Sequence, residues 1–104
     1  MSLRSPFSQG FTRNAADILA FRFSALAEPH RLAILALLNA NGELTVGELT
    51  ARLDIGQETV SYHLKRLIAA GLVVKRKDGA RSFCKVDHRA VGVVASALDP
   101  WQAS

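Results

Sequence analysis

The order of apolar and polar positions divides the chain into five helical stretches and one pair of short strands. In the first stretch, which is predicted to be capped by Asn14 and to end near Ala27, apolar side chains cover much of the helix circumference. A break follows, because Glu28 precedes a proline and Pro29 suits the first position of a helix. From Pro29 to Asn39 the chain is apolar on every side, which predicts a central buried helix.

The next two stretches are predicted to be helices joined by a tight turn. Thr45 and Glu48 have the spacing of a capping box, in which each side chain binds the backbone N–H of the other residue, so a third helix begins there. Residues 54–56 supply the turn, and a fourth helix runs from Gln57 to Ala70. Its inward stripe is Val60, Leu64, Leu67 and Ile68. The positions opposite this stripe, at about 100° per residue, are Glu58, Tyr62, Lys65, Arg66 and Ala69.

Two β-type runs follow the fourth helix. Residues 72–77 and 82–86 are joined through Asp78 and Gly79, a pair that favours a hairpin. Asp87 then begins a last helix that ends near residue 100. The predicted fold class is mainly α with a small β-hairpin wing, a winged helix-turn-helix with about five helices and a two- to three-stranded antiparallel sheet.

Basic residues are concentrated in one quarter of the chain. Between Lys65 and Arg89 there are eight basic and two acidic residues, a net charge of +6, whereas the whole chain carries +4. Such a stripe is typical of a phosphate-binding surface, although by itself it is equally compatible with a solvated face that binds nothing. Together with the helix-turn-helix and the hairpin, it indicates a protein that binds double-stranded DNA.

The outer face of the fourth helix supplies the candidate base contacts. Gln57 can form a bidentate contact with adenine, Ser61 can donate or accept, and Thr59 offers a methyl contact to thymine. Tyr62 projects outward and can reach a base or a phosphate. Glu58 repels phosphates, although it suits a helix N-terminus and can accept from cytosine. Each position also has a structural explanation, since a first helical turn tolerates polar residues and serine is small where helices cross.

Basic residues beyond this face are candidates for contacts with the DNA backbone. Lys65 and Arg66 would hold phosphates and position the helix without reading sequence, and Lys75 and Lys77 would contact phosphates from the hairpin. Arg81, near the hairpin tip, can enter the minor groove.

Composition and missing motifs exclude several other classes of protein. No stretch approaches the ~18 apolar residues of a membrane span, and no secretory leader is recognisable, so we expect a cytoplasmic protein without a membrane partner. Cys84 is the only cysteine and is interpreted as a small buried hydrophobe. Paired carboxylates, an activated nucleophile and a phosphate-cradling glycine loop are missing from the sequence, so an enzyme is the poorest hypothesis and no cofactor is predicted.

Three segments resemble the ArsR/SmtB (arsenic-repressor) family of transcriptional regulators. They are LAEPHRLAIL at residues 26–35, ELTVGEL at 43–49 and QETVSYHL at 57–64, and the similarity extends from about Ala25 to Val86. The resemblance implies a winged-helix repressor that forms a homodimer through its first and last helices, which accounts for the many apolar side chains there. The implied interface residues are Ile18, Leu19, Phe21, Phe23, Val91, Val94, Ala95 and Leu98.

The arsenic-type metal site of this family is missing. The resemblance places two cysteines at the positions of Thr45 and Gly47, and neither residue can ligate a soft metal. Elsewhere, His30 and His63 are interpreted as hydrogen-bonded structural histidines rather than as ligands.

The zinc-type site of the family is also incomplete. Asp87 matches its first ligand, but Arg89 stands where the resemblance places a histidine, and Pro100 and Ala103 stand near the later ligand positions. His88 is displaced by one residue, which turns it about 100° around the helix. The sequence therefore predicts no metal site.

The leading hypothesis is a sequence-specific dimeric transcriptional regulator, a repressor that occludes a promoter at a pseudo-palindromic operator. The alternative is a winged-helix module that binds a protein partner without sequence-specific DNA binding. A steep loss of duplex affinity with salt separates the two hypotheses. We expect a flexible segment at residues 1–11, one DNA-binding and dimerisation domain at 12–99, and a tail at 100–104.

Overall fold

The structure, a computed structural model, describes residues 12–97 as five helices and three strands. In chain order these are α1 (Arg13–Leu26), α2 (Pro29–Asn41), β1 (Leu44–Thr45), α3 (Val46–Leu53), α4 (Gln57–Ala69), β2 (Val73–Asp78), β3 (Arg81–Val86) and α5 (His88–Ala97). Within this range no helix combines the length and apolarity that a membrane crossing requires. The predicted terminal segments and Leu98 lie outside the described residues.

The start of α1 differs from the prediction. Thr12 rather than Asn14 caps the helix, and the Thr12 hydroxyl accepts from the backbone N–H of Ala15 at 3.0 Å. Both residue types are good caps, but Thr12 is the one with extended backbone angles, φ −73° and ψ 158°. Helix α2 begins at Pro29 as predicted and continues two residues past the predicted end, to Asn41.

The predicted helix-turn-helix is formed by α3 and α4. The capping box is confirmed, since the Thr45 hydroxyl accepts from the Glu48 N–H and the Glu48 carboxylate accepts from the Thr45 N–H, both at 3.1 Å. Asp54 then adopts a left-handed conformation with φ 53°, which ends α3. Gly71 has φ +74°, a conformation that strains other residues, and it turns the chain from α4 into the hairpin.

The sheet is antiparallel, with the strand order β1-β3-β2. Strands β2 and β3 form the predicted hairpin, in a register that pairs Val73 with Val86. Strand β1 adds two residues on the other side of β3, opposite Cys84 and Phe83. The middle of β3 is therefore anchored to the segment that leads into α3.

The core lies where α2, α3 and α4 meet the sheet. Its largest fully buried side chains are Ile34, Leu38, Leu49, Leu67, Leu72, Val60, Val73 and Cys84. Burial of each large apolar side chain stabilises the fold by about 1.5–3 kcal/mol, so this cluster fixes α4 against the hairpin. Helix α2 is not buried on every side as predicted, because Leu32 is 52% exposed.

Candidate nucleic-acid interface

Helix α4 has one buried face and one exposed face, as its sequence pattern predicted. Val60, Leu64 and Leu67 are buried, together with His63. The exposed positions on the other side are Gln57, Glu58, Thr59, Tyr62, Lys65, Arg66 and Ala69, and Ser61 is half-buried. The side chains predicted to contact DNA thus point away from the core.

A groove of about 420 Å³ lies between the N-terminal half of α4 and the hairpin. Four residues predicted to bind DNA line it, namely Gln57 and Ser61 from α4, Lys75 from β2 and Arg81 from β3. An adjoining depression on the outer side of α4 shares Gln57 and Ser61 and is also lined by Glu58, Thr59, Tyr62 and Lys65. Polar side chains of α4 and basic side chains of the hairpin therefore border one continuous surface.

Two predicted contact residues lie outside this surface. The Arg66 guanidinium carbon is 5.6 Å from the centre of the Tyr62 ring, and Arg66 lines a separate depression together with Phe21 and Arg31. Lys77 is exposed near the hairpin turn, where it does not line the groove. Neither cation lines the groove between α4 and the hairpin.

Phe83, which no sequence pattern singled out, contacts two arginines of the hairpin. The guanidinium carbons of Arg76 and Arg81 lie 4.5 Å and 5.0 Å from the centre of its ring, distances at which a cation is attracted to an aromatic face. Arg76 also donates to the Glu43 carboxylate, which raises the pKa of Arg76. The signal in the sequence is the hairpin register, which sets Arg76 opposite Phe83.

Arg81 remains accessible even though it contacts two neighbours. Its side chain is 66% exposed, and its Nη2 lies 3.9 Å from Oε1 of Glu48. Hydrogen bonds from the backbone and hydroxyl of Thr45, and then the charges of Arg81 and Arg52, lower the pKa of Glu48. The capping box thus keeps a carboxylate ionised beside Arg81, which holds this cation at the edge of the groove.

Cys84 is fully buried in β3, and this burial raises the pKa of its thiol. The thiol therefore stays protonated and packs with the core. Its interpretation as a small buried hydrophobe is confirmed.

His30 and His63 are hydrogen-bonded, as predicted, and both lie beside one carboxylate. His30 Nδ1 donates to Oε1 of Glu28 at 3.0 Å, and His63 Nδ1 lies 3.6 Å from Oε2 of the same residue. Burial lowers the pKa of His63; nearby Glu28 opposes this effect, whereas Arg31 and His30 add to it. Glu28 was not predicted to contact the histidines, because in the sequence it was interpreted only as the residue that precedes Pro29.

The residues predicted to form a dimer interface divide into exposed and buried groups. Ile18 and Phe21 are 46% and 50% exposed, and Ala95 is exposed. Partly buried positions that pack against the core are Leu19, Phe23 and Val91. Val94, also predicted to lie in the interface, is only 3% exposed in the single chain, where it belongs to the core. Val93 is 50% exposed instead, because one residue rotates the side chain about 100° around the helix.

Helices α3 and α4, followed by a basic hairpin, define a winged helix-turn-helix DNA-binding protein. Residues 26–76 match the family described as "Helix-turn-helix domain". The arsenical resistance operon repressor of Staphylococcus xylosus is 35% identical over 74 residues, which cover 71% of this chain and 70% of that protein. The chain belongs to the ArsR family of transcriptional regulators.

Other relatives extend the comparison. The transcriptional activator HlyU of Vibrio cholerae is 40% identical over 90 residues, which cover 86% of this chain and 82% of that protein. A homodimeric winged helix-turn-helix DNA-binding domain from Mycobacterium bovis, described as a possible ArsR-family regulator, superimposes with a TM-score of 0.71. It is 28% identical and covers 93% of this chain and 86% of that one. These relatives are named as transcriptional regulators, and the chain is a DNA-binding regulator.

Proposed function

We propose that the chain acts as a homodimeric repressor that occludes a promoter by binding a pseudo-palindromic operator. The observation that supports this most directly is the groove between α4 and the hairpin, lined by Gln57, Ser61, Lys75 and Arg81. Short polar side chains suit base edges and cations suit phosphates, so the groove combines sequence reading with backbone attachment. Helix α4 would lie in the major groove, and Arg81 would reach the neighbouring minor groove.

The remaining contacts are assigned by their exposure. Thr59 and Tyr62 extend the reading surface along α4, with Glu58 as the acceptor for a cytosine amino group. The cations that would hold phosphates without reading sequence are Lys65, Arg66, Lys75 and Lys77.

Dimerisation would use the exposed apolar side chains of α1 and α5. Ile18, Phe21 and Val93 are each about half exposed, and the two helices that carry them contact each other within the chain. Exposed apolar side chains on adjacent helices are typical of an interface, and the Mycobacterium bovis relative is homodimeric. A two-fold axis through such an interface would set two α4 helices about one DNA turn apart, ~34 Å.

Control of this repressor would not use either metal site familiar in the family. Thr45 is committed to the capping box, and Gly47 and Arg89 offer no metal ligand at the other positions. We place the protein in the cytoplasm, where its operator is accessible.

The division between reading and holding residues tests the proposal. Gln57→Ala or Ser61→Ala should reduce the ratio of operator affinity to random-duplex affinity by about tenfold, because each removes contacts to base edges. Lys65→Ala, the control, should weaken both affinities by a similar factor. Fluorescence anisotropy with labelled duplexes measures both. Equal losses on operator and random DNA in the Gln57 and Ser61 variants would contradict their role as readers.

A further inference from the structure

Three potential metal ligands from two separate parts of the chain meet at the buried face of α4. Glu28 and His30 lie at the junction of α1 and α2, whereas His63 lies on the buried face of α4. One ligand atom from each residue lies within 4.8 Å of the other two. The two imidazole rings are stacked, with centres 5.3 Å apart and an interplanar angle of 24°.

The distances within this cluster fit a small metal ion. Ligands at ~2.05 Å from a tetrahedral zinc ion are separated from each other by about 3.4 Å. The two separations from the Glu28 carboxylate, 3.0 Å from Oε1 to His30 Nδ1 and 3.6 Å from Oε2 to His63 Nδ1, lie on either side of that value. Two imidazoles and one carboxylate are also a common zinc ligand set, which leaves a fourth position for water.

The protonation state of His63 also suits metal binding. Arg31 Nη1 lies 3.3 Å from His63 Nδ1, and because arginine can only donate, Nδ1 accepts and the ring proton lies on Nε2. A neutral imidazole with a lone pair directed into the cluster is the form that binds a metal. The Nδ1 lone pair of His63 is now shared with a guanidinium group, so a metal ion would have to displace Arg31 from it.

We propose that Glu28, His30 and His63 form a binding site for a divalent cation of the zinc type. On binding, the proton of His30 Nδ1 would move to Nε2 or to solvent, and the metal would replace it beside the carboxylate. This site is distinct from the two metal sites that the ArsR resemblance implies, and it differs from the sequence-based prediction of no metal site. A metal held here would connect the start of α2 to the middle of α4.

The same site would affect the DNA-binding surface. The Tyr62 ring packs edge to face against the His63 ring, with centres 5.2 Å apart, so a movement of His63 would also move Tyr62. Displacement of Arg31 and rotation of His63 would therefore change the position of an exposed side chain on α4. This regulatory effect, unlike metal binding itself, rests on the proposed function.

Zinc titration of the full chain tests the site without DNA. Isothermal calorimetry of the wild-type protein should show one zinc ion per chain with micromolar or tighter affinity. His30→Gln should weaken this binding by about tenfold or more, because it removes a ligand yet keeps a hydrogen-bond donor for Glu28. The matched control is His88→Ala, which removes the other exposed histidine from the first turn of a helix.

Direct observation of the imidazoles complements the titration. Two-dimensional ¹H–¹⁵N spectra of the wild-type protein should show ring signals of His30 and His63 shifting with zinc while those of His88 stay in place. The site would be overturned if the wild-type protein bound no zinc, or if His30→Gln bound zinc as tightly as the wild type. It would also be overturned if zinc shifted only the ring signals of His88.

The regulatory effect is measured separately. Zinc should change the affinity of the wild-type protein for its selected operator by about fivefold or more and leave His30→Gln unaffected. If zinc binds as described but operator affinity does not change, the coupling is wrong and the site stands. If no duplex is bound in either condition, the proposed function fails while calorimetry still decides the site.

Discussion

Arg81 shows how single side chains prepare this surface for DNA. The Phe83 ring and the Glu48 carboxylate both lie close to its guanidinium group, yet two thirds of the side chain stays exposed. An arginine already held in one region loses less conformational freedom when it meets a phosphate or a minor groove. Arg76 differs, because it donates to the Glu43 carboxylate, whose negative charge offsets its positive charge within the chain.

Replacing Arg81 should therefore weaken binding to every duplex. Arg81→Ala is expected to lower operator and random-DNA affinity alike and to reduce the slope of log affinity against log salt by about 1. Anisotropy titrations at several salt concentrations measure this slope. Arg13→Ala, which removes an exposed arginine from α1, should leave it unchanged. An unaltered slope in the Arg81 variant would exclude Arg81 as a DNA contact.

His63 should make stability depend on pH. Its pKa is lowered in the folded chain, chiefly by burial, so the unfolded chain takes up a proton first as the pH falls. Stability is therefore complete above the ordinary histidine pKa of 6.5 and declines as the pH drops below it. Urea denaturation with a chelator present, between about pH 7 and 5.5, measures the free energy of unfolding. His63→Gln should lose this decline. A wild-type stability that rises toward low pH would contradict the assignment.

The sequence predicted which side chains of α4 point outward, because helical periodicity alone decides this, although it left the buried His63 out of the inward stripe and placed the half-buried Ile68 in it. It could not predict contacts between residues far apart in the chain. The meeting of Glu28 with His63 depends on how α2 packs against α4, and the contact of Arg81 with Glu48 depends on where the sheet places the hairpin. Such contacts require tertiary packing, which no local pattern encodes.

At the scale of elements, α3 is a short helix that depends strongly on its N-terminal cap. Thr45 is both the capping residue and part of β1, so its backbone is paired in the sheet directly before the helix begins. The helix has 8 residues, fewer than an isolated helix needs to be stable in water. Packing of Leu49 in the core and the capping box together hold it.

Removing the capping hydroxyl should destabilise the fold measurably. Thr45→Val keeps the side-chain shape but loses the hydrogen bonds that the Thr45 hydroxyl makes with Glu48, which should cost about 1 kcal/mol of unfolding free energy. In a domain of this size that corresponds to a lower Tm by about 4–8 °C in thermal denaturation. The control Thr59→Val removes a hydroxyl from an exposed position on α4. Equal stability of the Thr45 variant and the wild type would show that the box contributes nothing.

Element types were predicted more reliably than element ends. Proline, capping-box and hairpin-turn patterns located α2, α3 and the β2–β3 hairpin, because each fixes local backbone geometry. The cap of α1 was misplaced, since Thr12 and Asn14 are both suitable caps and only the backbone angles of the folded chain decide between them. Strand β1 has two residues, too few for an alternating pattern, and its pairing with β3 exists only in the folded chain.

At the scale of the whole molecule, an exposed apolar surface and a basic surface define two separate regions. Ile18, Phe21 and Val93 belong to the helices at the ends of the described chain, whereas the groove lies between α4 and the hairpin. A dimer formed through the first region leaves the second free to contact DNA. Two copies of the groove would then face two half-sites related by the same axis.

The proposed dimer predicts the effect of a charge on α1. Phe21→Asp should convert the dimer to monomers at micromolar concentration, because it places a carboxylate in an apolar interface. Sedimentation velocity measures the mass, and circular dichroism verifies the fold. Val74→Asp, at an exposed apolar position of β2, is the matched control and should remain dimeric. A Phe21 variant that sediments as a dimer would place the interface elsewhere.

Selection of bound sites from a random duplex library tests sequence-specific binding by a dimer, since an enriched site requires both the reading face of α4 and the two-fold arrangement. We expect enrichment of an inverted repeat whose half-site centres lie about 10 base pairs apart, or a multiple of that distance. Enriched sites should lose affinity steeply as salt increases. If folded, dimeric protein enriched no sequence from the library, the result would contradict the proposal of a sequence-specific repressor.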